Sequence, residues 1–270
     1  MQLLAIDMDG TLLNSQGHIS IENRQALADF IMQANGSIAI CSARPLITLM
    51  RLLDEEQVLH LVRYIAGFNG AQIFDTKKQA LIFDCKMTLP DLQDIGAAIN
   101  INQYSHHYFT DKEMMHIDNQ TVSSYSIYES RFFSLPLNFY SLTEINHSTD
   151  IYKITVCGDE EEMSLFQENI SRQLPEKFSG MITGSNYIDI QPVNINKGTA
   201  IERIKLQRQL TTQDVIAIGD QQNDLPMFHV SGKKIAMGNA VKMLQNEADI
   251  VTRSNDQHGV AWAIKWLISM

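Results

Sequence analysis

Two carboxylates stand close together at the end of an apolar run near the start of the chain. The run at residues 3–6 is typical of a buried strand; Asp7 follows it, Asp9 comes two residues later, and Thr11 follows a glycine. Two acids at this spacing repel each other, so a metal ion, a proton or water has to compensate them. Such a pair suits catalysis in which one carboxylate attacks and the other transfers protons.

Further polar residues stand where later strands are predicted to end or where a helix begins. They are Ser42 and Arg44 after the second strand, Asn69 after the third, Asp220, Asn223 and Asp224 after the run VIAI, and Lys197 ahead of a helix. Because ligands bind beyond the carboxyl ends of parallel strands, we expect most of these side chains to meet at one edge of a sheet. Each piece alone fits a solvated loop or, for Asp224, a helix cap. Four pieces occur in this order along the chain: the pair Asp7 and Asp9, then Ser42, Lys197 and the segment GDQQND. Together they favour a functional site.

A cluster of Asp7, Asp9 and Asp220 predicts a hard oxygen site suited to Mg²⁺. Lys197 would balance the charge of the carboxylates and of a substrate phosphate. The phosphate oxygens would be held by Ser42 and by backbone N–H groups near Met8 and Ala43. These are the requirements of phosphoryl transfer, which depends on positioning and charge neutralisation.

The two acids of the first motif can be given different tasks. Asp7, fixed at the strand end, is expected to attack phosphorus and form an aspartyl phosphate. Asp9 is expected to protonate the leaving oxygen and then to deprotonate a water molecule. The backbone carbonyl of Asp9 could also reach the metal.

An alternation of strands and helices positions these residues. Helical spacing over residues 21–34 is followed by a β-rich run over 37–41, and strands and helices alternate again after Lys197. Between residues 84 and 191 predicted strands outnumber helices. We therefore expect an α/β fold in which a Rossmann-like parallel-sheet core, residues 1–83 and 192–270, is interrupted by an inserted α+β domain, residues 84–191.

Several polar or aromatic residues of the insertion invite a functional interpretation. They are His106, His107, His116, Arg131 and Tyr187. A second metal site is not favoured, because a β-hairpin would point His106 and His107 to opposite faces. We expect most of the five to lie at the surface.

Composition narrows the partners. The net charge of −10 argues against nucleic acid or an anionic membrane as the main partner, and no apolar run approaches membrane-spanning length. The three cysteines are far apart without CxxC spacing, and the first residues do not have the pattern of a secretion signal. A cytoplasmic protein with reduced thiols is expected.

The ordered set DMDGTLL, Ser42, Lys197 and GDQQND resembles the signature of the haloacid dehalogenase superfamily of aspartate-nucleophile phosphatases. The tail segments IAMGNA and VTRSNDQHGVAWAI are similar to those of its Cof-type subfamily, which is known for broad sugar-phosphate phosphatases. The resemblance covers nearly the whole chain. It implies that residues 84–191 form a cap that selects the substrate.

The resemblance also implies roles for individual residues. Asp7 would be the nucleophile and Asp9 the general acid/base. The metal would be held by Asp7, the Asp9 carbonyl and Asp220. Asp224 would act in or beside the metal shell, and Asn223 would lie near the substrate phosphate.

One motif departs from the family pattern. The family usually has Thr-Gly-Arg where this chain has Ser42, Ala43 and Arg44, a segment that we predict to bind substrate. Serine keeps the hydroxyl, whereas alanine does not share the freedom of glycine to adopt a positive φ.

The sequence therefore predicts a Mg²⁺-dependent phosphatase of small phosphorylated metabolites, working as a monomer or a weak homodimer. A phosphomutase, which returns the phosphoryl group to its substrate, and a catalytically silent phosphate-binding module remain as alternatives. A receiver-type signalling domain fits poorly with 270 residues and a large insertion.

Overall fold

The computed structural model describes residues 2–117, 122–141, 144–145 and 149–269. It divides into two compact units. The core unit comprises Met1–Asp84 and Asn196–Met270, and the insert unit comprises Cys85–Ile195.

An eight-stranded sheet forms the centre of the core unit, with the strand order β14-β13-β12-β1-β2-β3-β4-β5. The strands are β1 (Leu3–Ile6), β2 (Ser37–Cys41), β3 (Val62–Gly67), β4 (Gln72–Asp75), β5 (Ala80–Asp84), β12 (Val215–Gly219), β13 (Lys233–Ala236) and β14 (Ile250–Val251). All pairs from β14 to β3 are parallel, whereas β4 and β5 form an antiparallel hairpin at the edge. The carboxyl ends of β12, β1, β2 and β3 therefore lie at one edge of the sheet.

Helices accompany this sheet. They are α1 (Ile21–Gln33), α2 (Leu46–Glu55), α6 (Lys197–Arg208), α7 (Leu225–His229), α8 (Lys242–Glu247) and α9 (Gly259–Ile268). Strands β1 and β12 are apolar along their whole length and completely buried, as expected for central parallel strands that are covered on both faces. The predicted parallel α/β class is confirmed.

The insert unit is built on a six-stranded sheet with the order β10-β11-β9-β6-β7-β8. Its strands are β6 (His106–Phe109), β7 (Met114–Ile117), β8 (Leu137–Tyr140), β9 (Lys153–Cys157), β10 (Phe178–Gly184) and β11 (Tyr187–Pro192). Its helices are α3 (Leu89–Ile99), α4 (Ser124–Phe133) and α5 (Glu160–Gln173). Strand β8 pairs with β7 in parallel, and the other neighbours are antiparallel.

The two faces of the insert sheet differ in chemistry. Residues that alternate along β9 and β11, such as Ile154 and Ile190, belong to an apolar cluster with residues of α3 and α5. Residues between them, such as Lys153, Thr155 and Asp189, are polar but buried. Glu129 of α4 lies 2.7 Å from Nε2 of His107, and Lys153 donates to Asp189 at 2.9 Å.

The expectation that most of the insert's singled-out residues lie at the surface is wrong for the three histidines. His106, His107 and His116 are all buried. His107 contacts Ser126 and Glu129, so its imidazole is accommodated by hydrogen bonds instead of by water. Arg131 is exposed, and Tyr187 is half-buried with its hydroxyl donating to the carbonyl of Tyr125.

Within the described ranges, no helix combines the length and the apolar character that crossing a bilayer requires.

Two leucines on helices of the core unit provide a matched test of its packing. Leu27 of α1 is fully buried, whereas Leu206 of α6 is 83% exposed. We expect Leu27→Ala to lower the free energy of unfolding by about 2–5 kcal/mol, because it removes buried methyl groups and leaves a cavity. Leu206→Ala should change it by less than about 0.5 kcal/mol. Urea unfolding followed by circular dichroism measures both, and similar losses in the two variants would contradict this packing.

Candidate active site

The first site residue is placed by the central strand of the core sheet. Asp7 directly follows β1, and its backbone N–H donates to the carbonyl of Ile218 in β12 at 3.1 Å. The register sets Ile6 beside both Ile218 and Ile40 of the neighbouring strands. The side chain of Asp7 is buried at the carboxyl edge of the sheet, where a rigid backbone holds it.

The turn after Asp7 requires a glycine. Gly10 has a φ of 76°, and a Cβ at this position would lie 2.5 Å from Oδ2 of Asp220. The turn is also fastened by polar contacts: Asn239 donates from its side chain to the Gly10 carbonyl at 2.8 Å, and the Thr11 hydroxyl donates to Oδ1 of Asp220 at 2.8 Å. The hydroxyl beside the two acids thus orients a carboxylate from a distant part of the chain.

Three carboxylates meet at this edge. Asp7, Asp220 and Asp224 are buried, and one oxygen of each lies within 4.8 Å of the others. Oδ2 of Asp224 accepts the backbone N–H groups of Asp220 and Gln221, at 2.8 and 3.0 Å. These bonds fix the Asp224 side chain inside the loop that follows β12.

A single ammonium group joins two of the three carboxylates. Nζ of Lys197 lies 2.5 Å from Oδ1 of Asp7 and 2.5 Å from Oδ1 of Asp224. Lys197 is the first residue of α6, whose start is fixed by Asn196: the Asn196 side chain accepts the N–H of Thr199 at 2.9 Å. The next residue, Gly198, leaves no room for a Cβ because the backbone of Pro226 passes against it.

Burial and like charge dominate the electrostatics of the cluster. Burial, followed by repulsion from Asp224, raises the pKa of Asp7 well above its ordinary value, although Lys197 opposes this. The same two causes raise the pKa of Asp220 to about 6, against the hydrogen bond from Thr11. The carboxylates raise the pKa of Lys197 despite its burial, so this residue stays cationic.

Comparison with known proteins identifies this arrangement. The family model of the haloacid dehalogenase-like hydrolases matches residues 4–264. The chain belongs to this family. The predicted superfamily is therefore confirmed.

Two curated relatives align with this hydrolase from end to end. YwtE of Bacillus subtilis strain 168, a 5-amino-6-(5-phospho-D-ribitylamino)uracil phosphatase, is 31% identical over 294 residues, covering 100% of this chain and 99% of YwtE. YxeH of the same strain, a candidate phosphatase, is 30% identical over 268 residues, covering 99% of this chain and 98% of YxeH. With the family match, these relatives make this chain a hydrolase of the phosphatase type.

A solved structure supports the fold. SMU.1108c from Streptococcus mutans UA159 is similar with a TM-score of 0.87 over 100% of both chains, at 23% sequence identity. Its likeness to this hydrolase extends over the core and insert segments alike.

The three carboxylates of the acidic cluster are Asp7, Asp220 and Asp224, all of which the sequence analysis singled out. The Asp9 side chain, which the residues alone predicted to join Asp7 and Asp220, is not part of this group. The carboxylate of Asp9 is instead bound by Arg44, with Nε 2.7 Å from Oδ2 and an Nη atom 2.5 Å from Oδ1. Local spacing could not reveal this, because the partner lies 35 positions away.

The second motif forms a tight turn between β2 and α2. The Ser42 hydroxyl accepts the N–H of Arg44 at 3.2 Å, and the Ser42 carbonyl accepts the N–H of Asn69 at 2.8 Å. Ala43 is not among the described residues with a positive φ, so alanine fits this turn without the freedom of glycine. Asn223 is buried in the loop after β12, and Met8 has a fully buried side chain beside the cluster's first strand.

Two residues that fasten the site were not singled out from the sequence. Asn239 holds the Gly10 turn, and Asn255 donates both to Asn239 and, through its side chain, to the carbonyl of Leu13 at 2.9 Å. Both lie in the tail segments that resemble the Cof-type pattern, which was the available signal. Their contact with the first motif exists only in the folded hydrolase.

Lys197 offers a direct test of the cluster. We expect Lys197→Met to lower the free energy of unfolding by about 3–5 kcal/mol with EDTA present, because buried carboxylates lose their counter-ion. The loss should be smaller below pH 6 than above it. An acid whose pKa is raised by folding binds its proton more tightly in the folded state, so stability rises as pH falls through that pKa.

The control for this variant lies on the same helix. Lys205→Met removes an ammonium group whose carboxylate partner, Glu202, is about half exposed, so a smaller loss without recovery in acid is expected. Equal losses for Lys197→Met on both sides of pH 6, measured by urea unfolding, would contradict the raised pKa values of the cluster.

Proposed function

We propose that this hydrolase is a Mg²⁺-dependent phosphatase that removes phosphate from small phosphorylated metabolites, such as sugar phosphates, through an aspartyl-phosphate intermediate. The observation that carries the proposal is the buried group of Asp7, Asp220, Asp224 and Lys197 at the carboxyl edge of the parallel sheet. Such an edge is where open α/β sheets bind their ligands.

The donor set fits a hard divalent cation. Three carboxylates and one ammonium group leave a formal excess of two negative charges in a buried place. All ligating atoms are oxygens, as Mg²⁺ prefers. We assign Asp7, the backbone carbonyl of Asp9 and Asp220 to the metal, with Asp224 in or beside its shell; the ion would neutralise charge on the phosphoryl oxygens.

Asp7 is the proposed nucleophile. One of its carboxylate oxygens attacks phosphorus while the bond from phosphorus to the leaving oxygen breaks. Its backbone is held at the end of β1 by the hydrogen bond to Ile218. The pairing of Asp7 with Lys197 keeps a positive charge beside the oxygens that the phosphoryl group would bring.

Asp9 is the proposed general acid and base. It gives a proton to the leaving oxygen in the first step. In the second step it takes a proton from the water that attacks the phosphorus of the aspartyl phosphate, which releases inorganic phosphate and restores Asp7. Its side chain is 45% exposed, which gives water and a leaving group access to it.

The remaining predicted residues are assigned to the phosphate. They are the Ser42 hydroxyl, Lys197, Asn223 and the backbone N–H groups near Met8 and Ala43. Of these, Lys197 and Asn223 are buried in the core unit next to or within the loop that carries Asp220. Donors held in place in a buried site stabilise the negative charge of a phosphoryl group.

The choice of substrate is assigned to the insertion, with residues 1–83 and 192–270 as the catalytic core and 84–191 as a substrate-selecting cap. Fold alone does not name the substrate. YwtE is named for a substrate that carries its phosphate on a ribityl chain. This relative supports a small phosphorylated polyol or sugar derivative as the substrate class.

The first test is phosphate release from p-nitrophenyl phosphate and a panel of sugar phosphates, with Mg²⁺ and with EDTA. We expect turnover to require the metal and Asp7→Asn to lose more than about 10³-fold in kcat, since the nucleophile is gone. Asp54→Asn, an exposed aspartate of α2, is the matched control and should keep full activity. Turnover that survives Asp7→Asn would refute the aspartyl phosphate, and phosphate returned to a new position of the substrate would indicate a mutase.

The second test concerns pH. Because the pKa of Asp220 is raised to about 6, protons and metal should compete for this carboxylate, and Mg²⁺ affinity should fall as pH is lowered through about 6. Thr11→Val removes a hydrogen bond that lowers the pKa of Asp220, so it should move this fall to higher pH. Calorimetric titration with Mg²⁺ measures both, and an affinity that is flat across this range would contradict the assignment of Asp220.

A further inference from the structure

Arg44 holds the carboxylate of Asp9 with a two-pronged contact. Its Nε donates to Oδ2 at 2.7 Å and an Nη atom donates to Oδ1 at 2.5 Å. A guanidinium group that binds both oxygens of a carboxylate fixes the plane of that carboxylate as well as its position. The contact is therefore directional, unlike a single-point salt bridge.

The arginine is anchored from several sides. The backbone N–H of Arg44 donates to the Ser42 hydroxyl at 3.2 Å, and its backbone carbonyl accepts the N–H of Phe68 at 2.8 Å. Pro45 follows it and restricts its backbone to extended conformations. The arginine side chain is only 10% exposed, so the guanidinium group approaches Asp9 from the protein interior.

The carboxylate of Asp9 is held less firmly than the Arg44 guanidinium group. Asp9 lies in a turn with non-helical torsion angles, and its side chain is 45% exposed. The neighbouring Gly10 is fastened through its carbonyl by Asn239, which fixes the backbone of the turn but not the side chain of Asp9. The Arg44 guanidinium, which binds both oxygens, orients this carboxylate.

We propose that Arg44 is a positioning residue that acts through Asp9: it holds the proton-transferring carboxylate in one orientation, and it is not primarily a ligand of the substrate phosphate. This inference rests on the proposed role of Asp9 in proton transfer. It reassigns an arginine that the sequence pattern alone places with the phosphate-binding residues. A misplaced proton donor harms the reaction most when the leaving group is a poor one.

Two aryl phosphates of similar size separate the two roles of Arg44. p-Nitrophenyl phosphate has a good leaving group that needs little protonation, whereas p-methoxyphenyl phosphate has a poor one. A positioning role predicts that Arg44→Gln loses at least about tenfold more kcat/KM on the methoxy compound than on the nitro compound, within the 10²–10⁴ typical of proton transfer. A phosphate-binding role predicts equal losses, because the phosphate is common to both.

A double-mutant cycle sharpens this comparison. If Arg44 acts through Asp9, Arg44→Gln combined with Asp9→Ala should lose no more kcat/KM than Asp9→Ala alone. Independent roles would give losses that multiply. Arg24→Gln, which removes another arginine paired with a carboxylate of the core unit, controls for general effects of charge removal and should match the wild type on both substrates.

An NMR measurement tests the contact without turnover. In the wild type the Nε–H of Arg44 should be protected from exchange with solvent. Asp9→Ala should lower this protection factor by at least about tenfold. The Nε–H of Arg24, which donates to the backbone carbonyl of Ile19, is the internal control and should be unaffected. Unchanged protection of Arg44 in Asp9→Ala overturns the proposal, as do equal or multiplicative kinetic losses.

The proposed function can fail separately from this inference. Turnover that needs neither Mg²⁺ nor Asp7 would refute the phosphatase mechanism, whereas the exchange of the Arg44 Nε–H reports the contact with Asp9 without any turnover. Thermal melting of Arg44→Gln checks its fold. If that variant does not fold, Arg44→Lys takes its place: it keeps the charge without the fork, and it should show the same preference between the two aryl phosphates.

Discussion

The candidate site depends on burying three carboxylates around one ammonium group. Asp7, Asp220 and Asp224 lie close enough to repel one another, and burial makes Asp7 and Asp220 harder to ionise. Lys197 offsets part of this by binding two of them at once. Because the carboxylates repel one another, the group stays together only if the surrounding scaffold holds its side chains in place and limits the access of water.

The parallel sheet supplies that rigidity. Strands β1 and β12 are fully buried and in register, so the residues that follow them, Asp7 and Asp220, emerge side by side although they are far apart in the chain. The apolar area that these strands bury offsets the unfavourable electrostatics at their ends. Asp220 can lie this close to the first motif because residue 10 is a glycine, and a side chain at Gly10 would collide with Asp220. The repelling carboxylates thus lie at the carboxyl edge of the parallel sheet, which is where open α/β sheets bind their ligands.

Hydrophobic pattern predicted the core unit better than the insert unit, for a physical reason. In the core, continuous apolar runs such as β12 are typical of the buried strands of a parallel sheet, and the residues after them are polar. In the insert, one buried face of the sheet carries His107, Lys153 and Asp189. His107 pairs with Glu129 of α4, and Lys153 pairs with Asp189. A pattern that equates polar with exposed assigns such residues to the surface. Neither α4 nor the burial of the histidines could be inferred from it.

Strand periodicity and strand ends are local properties of the chain. The sequence was therefore sufficient to predict the α/β class and the convergence of Asp7 and Asp220 at the carboxyl edge of the sheet. Tertiary structure decided which side chains bind which. It turned the Asp9 side chain towards Arg44 and joined Lys197 to both Asp7 and Asp224, and it let Ala43 stand where the family usually has glycine. These outcomes depend on distances between atoms that the chain brings together only after folding, and no local spacing encodes them.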